Sequence, residues 1–365
     1  MLFRSLQTFV DDPLGTLTGS ERQRNTYIAM VVLVWSALGF PLAFKKGQRG
    51  YEIVWIGATL RVMASGLEAS IKKSILDELR AHVLEILKSN AVSRKMLRSS
   101  AGRCNHVSTL LWPWRPFLQS LRAALSAPSS GAPRNCVWVR QIRVSMYWTK
   151  AFLEGTSGSL HRTFVLDTYM NAGVLVEITL DASPWGLGGI LQENGQIVSW
   201  YACELSEFDF KFFDFRIGEA AGQQCWEALA ALVALRVWKT RWRDQRVRLT
   251  VRGASVSMLT VLMKFKAPTK SRSLGIVARE VALDVAEAVY SPDISEHIPG
   301  VTNKMADALS RLSAPFKSGE DPPRVPERLL AVPRAFPPPR SFSYFRTLTP
   351  EEMVVSSDRG SSGWQ

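Results

Sequence analysis

The stretch that most limits how this chain can fold lies between residues 173 and 315, where strand-like and helix-like patterns follow one another in a fixed order. VLVEITLDAS alternates apolar and polar residues, as a strand with one buried face does. WGLGGILQENGQIVSWYACEL reads as two more strands joined at Glu193-Asn194-Gly195, a sequence suited to a tight hairpin turn. CWEALAALVALRVWKTRW, rich in Ala and Leu, predicts a long helix. RVRLTVRG predicts a fourth strand, and VSMLTVLMKFK and SLGIVAREVALDVAEAV predict two helices. ISEHIPG reads as a short fifth strand and NKMADALSRL as a last helix. The order predicts an α/β (α+β) class, a mixed five-stranded sheet with helices packed on it.

The residues ahead of this stretch read differently. Residues 1–60 predict strand–turn–strand, a helix and paired strands; TFVDDPLGT, at 8–16, puts Asp11 and Asp12 at the first turn. YIAMVVLVWSALGFPLAF, at 27–44, carries no charge over 18 residues, the lower limit for a membrane span. It also divides into a buried helix over 21–38 and a buried strand over 40–44, and no membrane is expected. GFPLAFKKGQRGYEIVWIGATL predicts a hairpin with a basic turn. Residues 67–125 read as helical, with Ile71, Ile75, Leu79, Val83, Ile86 and Leu87 near a 3.6 period and a break at Pro113 and Pro116. APSSGAPRN, at 127–135, has linker composition, and the Pro-, Ser- and Gly-rich residues 316–365 predict disorder.

Charge narrows the partner. The formal net charge is +13, and residues 1–172, with 22 Lys/Arg against 10 Asp/Glu, hold +12 of it. Such an excess suits a polyanion, either RNA–DNA hybrid or DNA. Lys72, Lys73, Arg94, Lys95 and Arg98 are candidates in the first half, with Arg80, Lys88 and Arg103 near them. Arg241 and Arg243 stand with Arg236, Lys239, Arg246 and Arg248 in a second cluster. There Trp238 and Trp242 could stack on bases, although cations at a helix end are also favoured by its dipole. The four cysteines have no Cys-x-x-Cys spacing, so neither a zinc site nor a disulfide framework is expected. The first twelve residues lack the apolar run of a secretory signal. An intracellular protein of cytoplasm or nucleus, not secreted and with no obligate protein partner, is the expectation.

Three acids could converge at one sheet edge: Asp181 at the end of its strand, Glu227 in the first turns of the long helix, and Asp307 in the last helix. Clustered carboxylates repel one another and persist where cations neutralise them; an all-oxygen set suits magnesium. From spacing alone, three unrelated surface acids remain the alternative.

TLDASPWGLGGIL, CWEALAALVALRVW and HIPGVTNKMADALSRL, in this order, resemble the ribonuclease H domain of retrotransposon reverse transcriptases. The most specific piece is Gly300 to Arg311, Gly-x-x-Asn-x-x-Ala-Asp-x-Leu-Ser-Arg. The resemblance covers roughly 173–315. It implies the five-stranded fold, two magnesium ions and cleavage of the RNA strand of RNA–DNA hybrids. Asp181, Glu227 and Asp307 match three of the family's four metal-binding acids. The fourth falls on Ala254, or Gly253 with a one-residue slip, with Ser255 beside it, and neither position is acidic. His297 could assist proton transfer or product release, or be a structural histidine.

The front half carries the same resemblance. Phe9-Val10-Asp11-Asp12 is similar to the Tyr-x-Asp-Asp motif of reverse transcriptase palms, whose acids face polymerase metals. LGFPLAFKK, VWIGATL and GRCNHVSTLLWPWRPFLQSL resemble the Lys-bearing segment, the primer grip and the connection. The organisation implied is a truncated palm remnant at 1–60, helical thumb/connection at 61–126, linker or connection at 127–172, the ribonuclease H-like domain at 173–315 and a tail at 316–365. The eight residues before Phe9 leave no room for the earlier palm acid, so no polymerase activity is expected. With an acid lacking at Ala254, little or no nuclease activity is expected, with nucleic-acid binding retained. The alternatives are an active magnesium-dependent ribonuclease H, with Asp284 or Glu280 substituting, and a non-enzymatic binding module.

Overall fold

The computed structural model describes residues 4–9, 12–127, 131–165, 172–242, 247–267, 271–287, 294–297, 303–316 and 318–340. The chain divides into two compact units, one of residues 1–72 with 161–165 and one of the remainder.

In the first unit, β1 (Arg4–Phe9) and β2 (Asp12–Leu17) form an antiparallel pair in which Phe9 faces Asp12. Helix α1 (Glu21–Ala37) starts at a capping box, where Ser20 and Gln23 each satisfy the other's backbone N–H. A second sheet orders β3 (Glu52–Trp55), β4 (Ala58–Met63), β5 (Gly66–Ile71) and β8 (His161–Val165).

The structure corrects three expectations here. Helix α1 buries none of its residues, and Met30, Leu33 and Val34 are exposed, so the uncharged run is not a buried helix. It is also not followed by a strand: residues 40–43 are irregular and 44–46 form a 3-10 turn. The hairpin turns later than expected, at Ile56 (φ 49°) and Gly57 (φ 76°), inside VWIGATL. Two successive left-handed residues match the right-handed twist of the flanking strands, which the basic stretch could not do. Among the described residues no helix is long and apolar enough to cross a membrane.

The second unit begins with helices α2 (Lys73–Lys88), α3 (Arg94–Leu110), α4 (Gln119–Ser126) and α5 (Arg143–Leu153). A two-stranded ladder of β6 (Ala91–Ser93) and β7 (Cys136–Trp138) ties α3 to the residues ahead of α5. The prolines of WPWRPFL turn residues 112–118 into a 3-10 segment that buries Trp114, Phe117 and Leu118. Trp148 and Phe152 of α5 pack against Phe117, with centroids at 5.2 and 5.1 Å. Residues 143–153 are therefore core, not linker, because their aromatics complete this cluster.

The main sheet is made of β9 (Val174–Ala182), β10 (Gly186–Glu193), β11 (Gln196–Glu204), β12 (Val247–Gly253) and β13 (Ile294–His297). Its order is β11-β10-β9-β12-β13, with the first three antiparallel and β12 and β13 running parallel to β9. The β10–β11 turn is Asn194 (φ 49°) and Gly195 (φ 82°), as the sequence predicts. Helices α6 (Glu207–Phe213), α7 (Gln223–Val237), α8 (Val256–Lys264), α9 (Arg272–Glu287) and α10 (Lys304–Ser310) accompany it. Val176, Ile178 and Leu180 pack one face of β9 into a core with Trp226, Leu229 and Leu232 of α7 and Val277 and Val281 of α9. Arg236 joins α7 to α9 through Glu280 at 2.7 Å and Asp284 at 2.6 Å, and Glu280 is fully buried.

Helix α10 lies directly on β10. A Cβ at Gly188 would stand 2.6 Å from Leu309 Cβ, and one at Gly186 would stand 2.7 Å from the Ser310 carbonyl oxygen. Gly186 and Gly188 thus admit the close approach of this helix. Beyond α10 the tail expectation fails for 324–340. Leu329 is fully buried in a second core layer with Ile190, Trp200, Ala202, Ala306 and Leu309. Val325 and Val332 pack against the same layer, which gives these residues the apolar burial that composition conceals. Residues 341–365 lie outside the described part.

Candidate functional site

Asp181 occupies the last turn of the pleat before Ala182 ends β9. Along this strand Val176, Ile178, Leu180 and Ala182 are buried, so period two puts Asp181 on the opposite face, beside α10. Ser310 of α10 donates its hydroxyl to Asp181 Oδ2 at 3.1 Å. Asn303, buried just before α10, donates to the Leu180 carbonyl at 2.8 Å and reaches Asp181 Oδ1 at 3.5 Å. Ser183 donates to the Ser310 carbonyl at 2.6 Å, closing the same seam from the other side.

Glu227 comes from the second turn of α7. Gln223 fixes that end of the helix by donating to the Ala182 carbonyl at 2.6 Å and to Glu227 Oε1 at 3.3 Å. Ser255 hydrogen-bonds the Glu227 carboxylate, and its oxygen also caps α8 by accepting from the Met258 N–H at 3.3 Å. Asp307, on α10, is held by Arg311 at 2.7 Å.

Asp181 senses the other two acids. Burial, then the charges of Asp307 and Glu227, push the Asp181 carboxyl up to about 7. The hydrogen bond from Ser310 and the charge of Arg311 oppose that rise. Burial raises Glu227 as well, against the hydrogen bonds from Gln223 and Ser255. Ala254 follows β12 immediately, adjacent to the Ser255 that touches Glu227. A Cβ at Gly253 would stand 2.5 Å from Met258 Cε, the mobile end of a flexible side chain that would have to move aside.

An all-oxygen donor set has the right chemistry for magnesium. Its geometry does not fit: among the described residues no three His, Cys, Asp or Glu side chains gather to hold a metal ion. Asp181 and Asp307 are instead engaged by Ser310 and Arg311.

The remaining expected residues scatter. The backbone of His297 pairs with Gly253 at the end of β13, and its side chain lies outside the described residues. Asp11 and the Asp12 side chain also lie outside them, and so does Arg243. Lys72, Lys73, Lys95 and Arg98 are exposed and available to a polyanion. Arg94 is not, because it caps α4 by donating to the Leu125 carbonyl at 2.6 Å and the Ala127 carbonyl at 2.7 Å. Arg241 pairs with Glu193 at 3.0 Å. Trp238 is buried, its indole donating to Ser199, so it cannot stack on a base. Arg236 clamps Glu280 and Asp284 between helices, which removes both acids as substitutes for the one absent at Ala254. Sequence reasoning missed Asn303, Ser310 and Ser183 as partners of the site, although the first two stand inside the motif Gly300 to Arg311.

The strand order and directions, with α7 and α10 on the sheet, define a ribonuclease H-like α+β domain. No family model matches the sequence, and a search of curated proteins returns no match. Solved structures are similar at low identity. A foamy viral protease–reverse transcriptase in complex with double-stranded DNA matches at 16% identity and a TM-score of 0.37, over 80% of this chain and 46% of that one. The same viral protein with an RNA/DNA hybrid matches at 14% identity and a TM-score of 0.36, over 88% of this chain and 38% of that one. A ribonuclease H1 isolated from compost by a metagenomic approach matches at 18% identity and a TM-score of 0.27, over 38% of this chain and 91% of that one. The chain spans about half the length of the foamy viral protein or less.

Proposed function

We propose that this chain is part of a retroelement reverse transcriptase/ribonuclease H protein whose ribonuclease H-like domain binds RNA–DNA hybrid or DNA and cuts it weakly or not at all. The observation that carries the reading is that Asp307 and Glu227 lie near enough to raise the Asp181 carboxyl, while Ala254, next to the Ser255 that hydrogen-bonds Glu227, supplies a methyl group where the resemblance calls for a fourth acid. Removal of one charge partner from such a centre costs orders of magnitude in rate. The exposed cations Lys73, Lys95 and Arg98 support backbone tracking of a polyanion. On the same reading the residues through 60 are the end of a palm, and 61–126 are thumb and connection.

The test is a hybrid-cleavage assay in magnesium, comparing the unaltered chain with Ala254→Asp, alongside hybrid binding as a function of salt. Salt-dependent binding without cleavage, with cleavage gained by the substitution, is expected. Robust cleavage by the unaltered chain overturns the reading.

A further inference from the structure

Strand β11 is the outer strand of the main sheet, and alternate residues of such a strand direct their N–H and C=O groups away from their neighbour. At Trp200, Ala202 and Glu204 every one of these groups that makes a described bond makes it to residues 333–340. The Trp200 N–H donates to the Pro333 carbonyl at 3.2 Å, and the Trp200 carbonyl accepts from the Ala335 N–H at 2.7 Å. The Ala202 carbonyl takes the Arg334 guanidinium at 2.9 Å, and the Glu204 carbonyl takes that of Arg340 at 2.6 Å.

The segment wraps the edge from one sheet face to the other. Leu329 is buried on the α10 side, where the Trp200 indole donates to the Leu329 and Val332 carbonyls. Ala335 packs on the α7 side, where Pro338, Pro339 and Arg340 line a small pocket with Leu229, Leu232 and Val233. Arg334 lies over the Trp200 ring at 5.3 Å. Arg340 also pairs with Asp209 at 3.3 Å, a fully buried carboxylate at the start of α6. Among the described residues no other cation pairs with Asp209, and its Oδ1 has no hydrogen-bond partner.

We propose that residues 324–340 are a strap that seals the β11 edge, and that its release opens this edge to antiparallel pairing with β11 of a second copy of the chain. The exposed row would be self-complementary about Ala202, with Trp200 opposite Glu204 and Glu204 opposite Trp200, which a two-fold pairing requires. Arg334 and Arg340 latch the strap: among the described residues they supply the side-chain donors to the Ala202 and Glu204 carbonyls, and Arg340 supplies the cation paired with the buried Asp209, whose Oδ2 also accepts from Ser206.

The test uses the full chain carrying Arg334→Ala with Arg340→Ala. Hydrogen exchange at the Trp200 amide reports the strap, and light scattering across a concentration series reports mass. The expected result is exchange at Trp200 faster by about tenfold at low concentration, with a doubling of mass relative to the unaltered chain and renewed protection of that amide at high concentration. An exposed Trp200 amide with no change of mass overturns the pairing, and an amide that stays protected at unchanged mass overturns the latch. In case the double variant does not fold, a protease site placed at 318–321 is cut after folding and the released segment removed. Dimerisation of the remainder supports the proposal, and a monomer, or a segment that cannot be displaced by dilution, refutes it.

Discussion

The hydroxyl of Ser310 donates to Asp181 Oδ2 at 3.1 Å while the Ser310 carbonyl accepts from Ser183, so one residue of the last helix is stitched to both sides of the β9 terminus. The acid cluster is thereby built into the packing of α10. Perturbing either one disturbs the other.

The Asp181 carboxyl gives the first prediction. Its folded value of about 7 lies above the ordinary 3.8, so the folded chain holds this proton more tightly than the unfolded chain. Its contribution is present in full below pH 4 and is lost as pH rises through 7. The loss is about 4 kcal/mol at most. Asp181→Asn removes that slope and stabilises the chain at pH 8, which urea titrations at pH 5 and pH 8 measure.

Arg236→Ala leaves Glu280 buried without its partner and costs about 3–5 kcal/mol. Replacing the whole set with apolar residues, Arg236→Met, Glu280→Leu and Asp284→Leu, is about neutral or stabilising. Thermal unfolding of both variants separates the two outcomes, and equal losses would mean that the charges do more than hold α7 to α9.

Gly188→Ala drives a methyl group into Leu309 and the Ala306 carbonyl, at 2.6 and 2.7 Å. The expected cost is about 1–3 kcal/mol, with faster hydrogen exchange in α10 than in α9. Gly195→Ala is the control for a conformational rather than a steric glycine, since nothing stands within 4 Å of a Cβ there.

Lys95→Ala with Arg98→Ala weakens hybrid binding with little effect on stability and lowers the salt slope by about 2. Arg94→Ala destabilises the fold instead, because that side chain caps α4. Binding isotherms at several salt concentrations, with melting curves of each variant, check the division.

The main sheet was legible because its elements carry local signals: alternation in VLVEITLDAS, the Asn194-Gly195 turn, and an Ala- and Leu-rich α7. The places of Asp181, Glu227 and Asp307 on their elements were legible for the same reason, near the end of β9, in the second turn of α7 and within α10. What escaped was decided by contacts distant in sequence. Trp238 looked free to stack until β11 covered it, and Arg94 looked free to bind phosphate until α4 ended beside it. Why β10 carries glycines was not legible, because α10, which packs against Gly186 and Gly188, lies over a hundred residues away. The proline-rich segment looked disordered because its few apolar residues, Val325, Leu329 and Val332, find their partners only on an existing sheet.

Arg340 has a temporal consequence as well. Synthesis runs from the N-terminus, and domains begin to fold as they emerge. All five strands of the main sheet and α10 are complete by residue 310, thirty residues before the cation of Asp209 has been added. During that interval the nascent domain has its main core but an incomplete second layer, an open outer strand and a buried carboxylate that lacks its arginine. Chaperone dependence at this stage of translation would then be written into the order of the chain, and would vanish once Arg340 arrives.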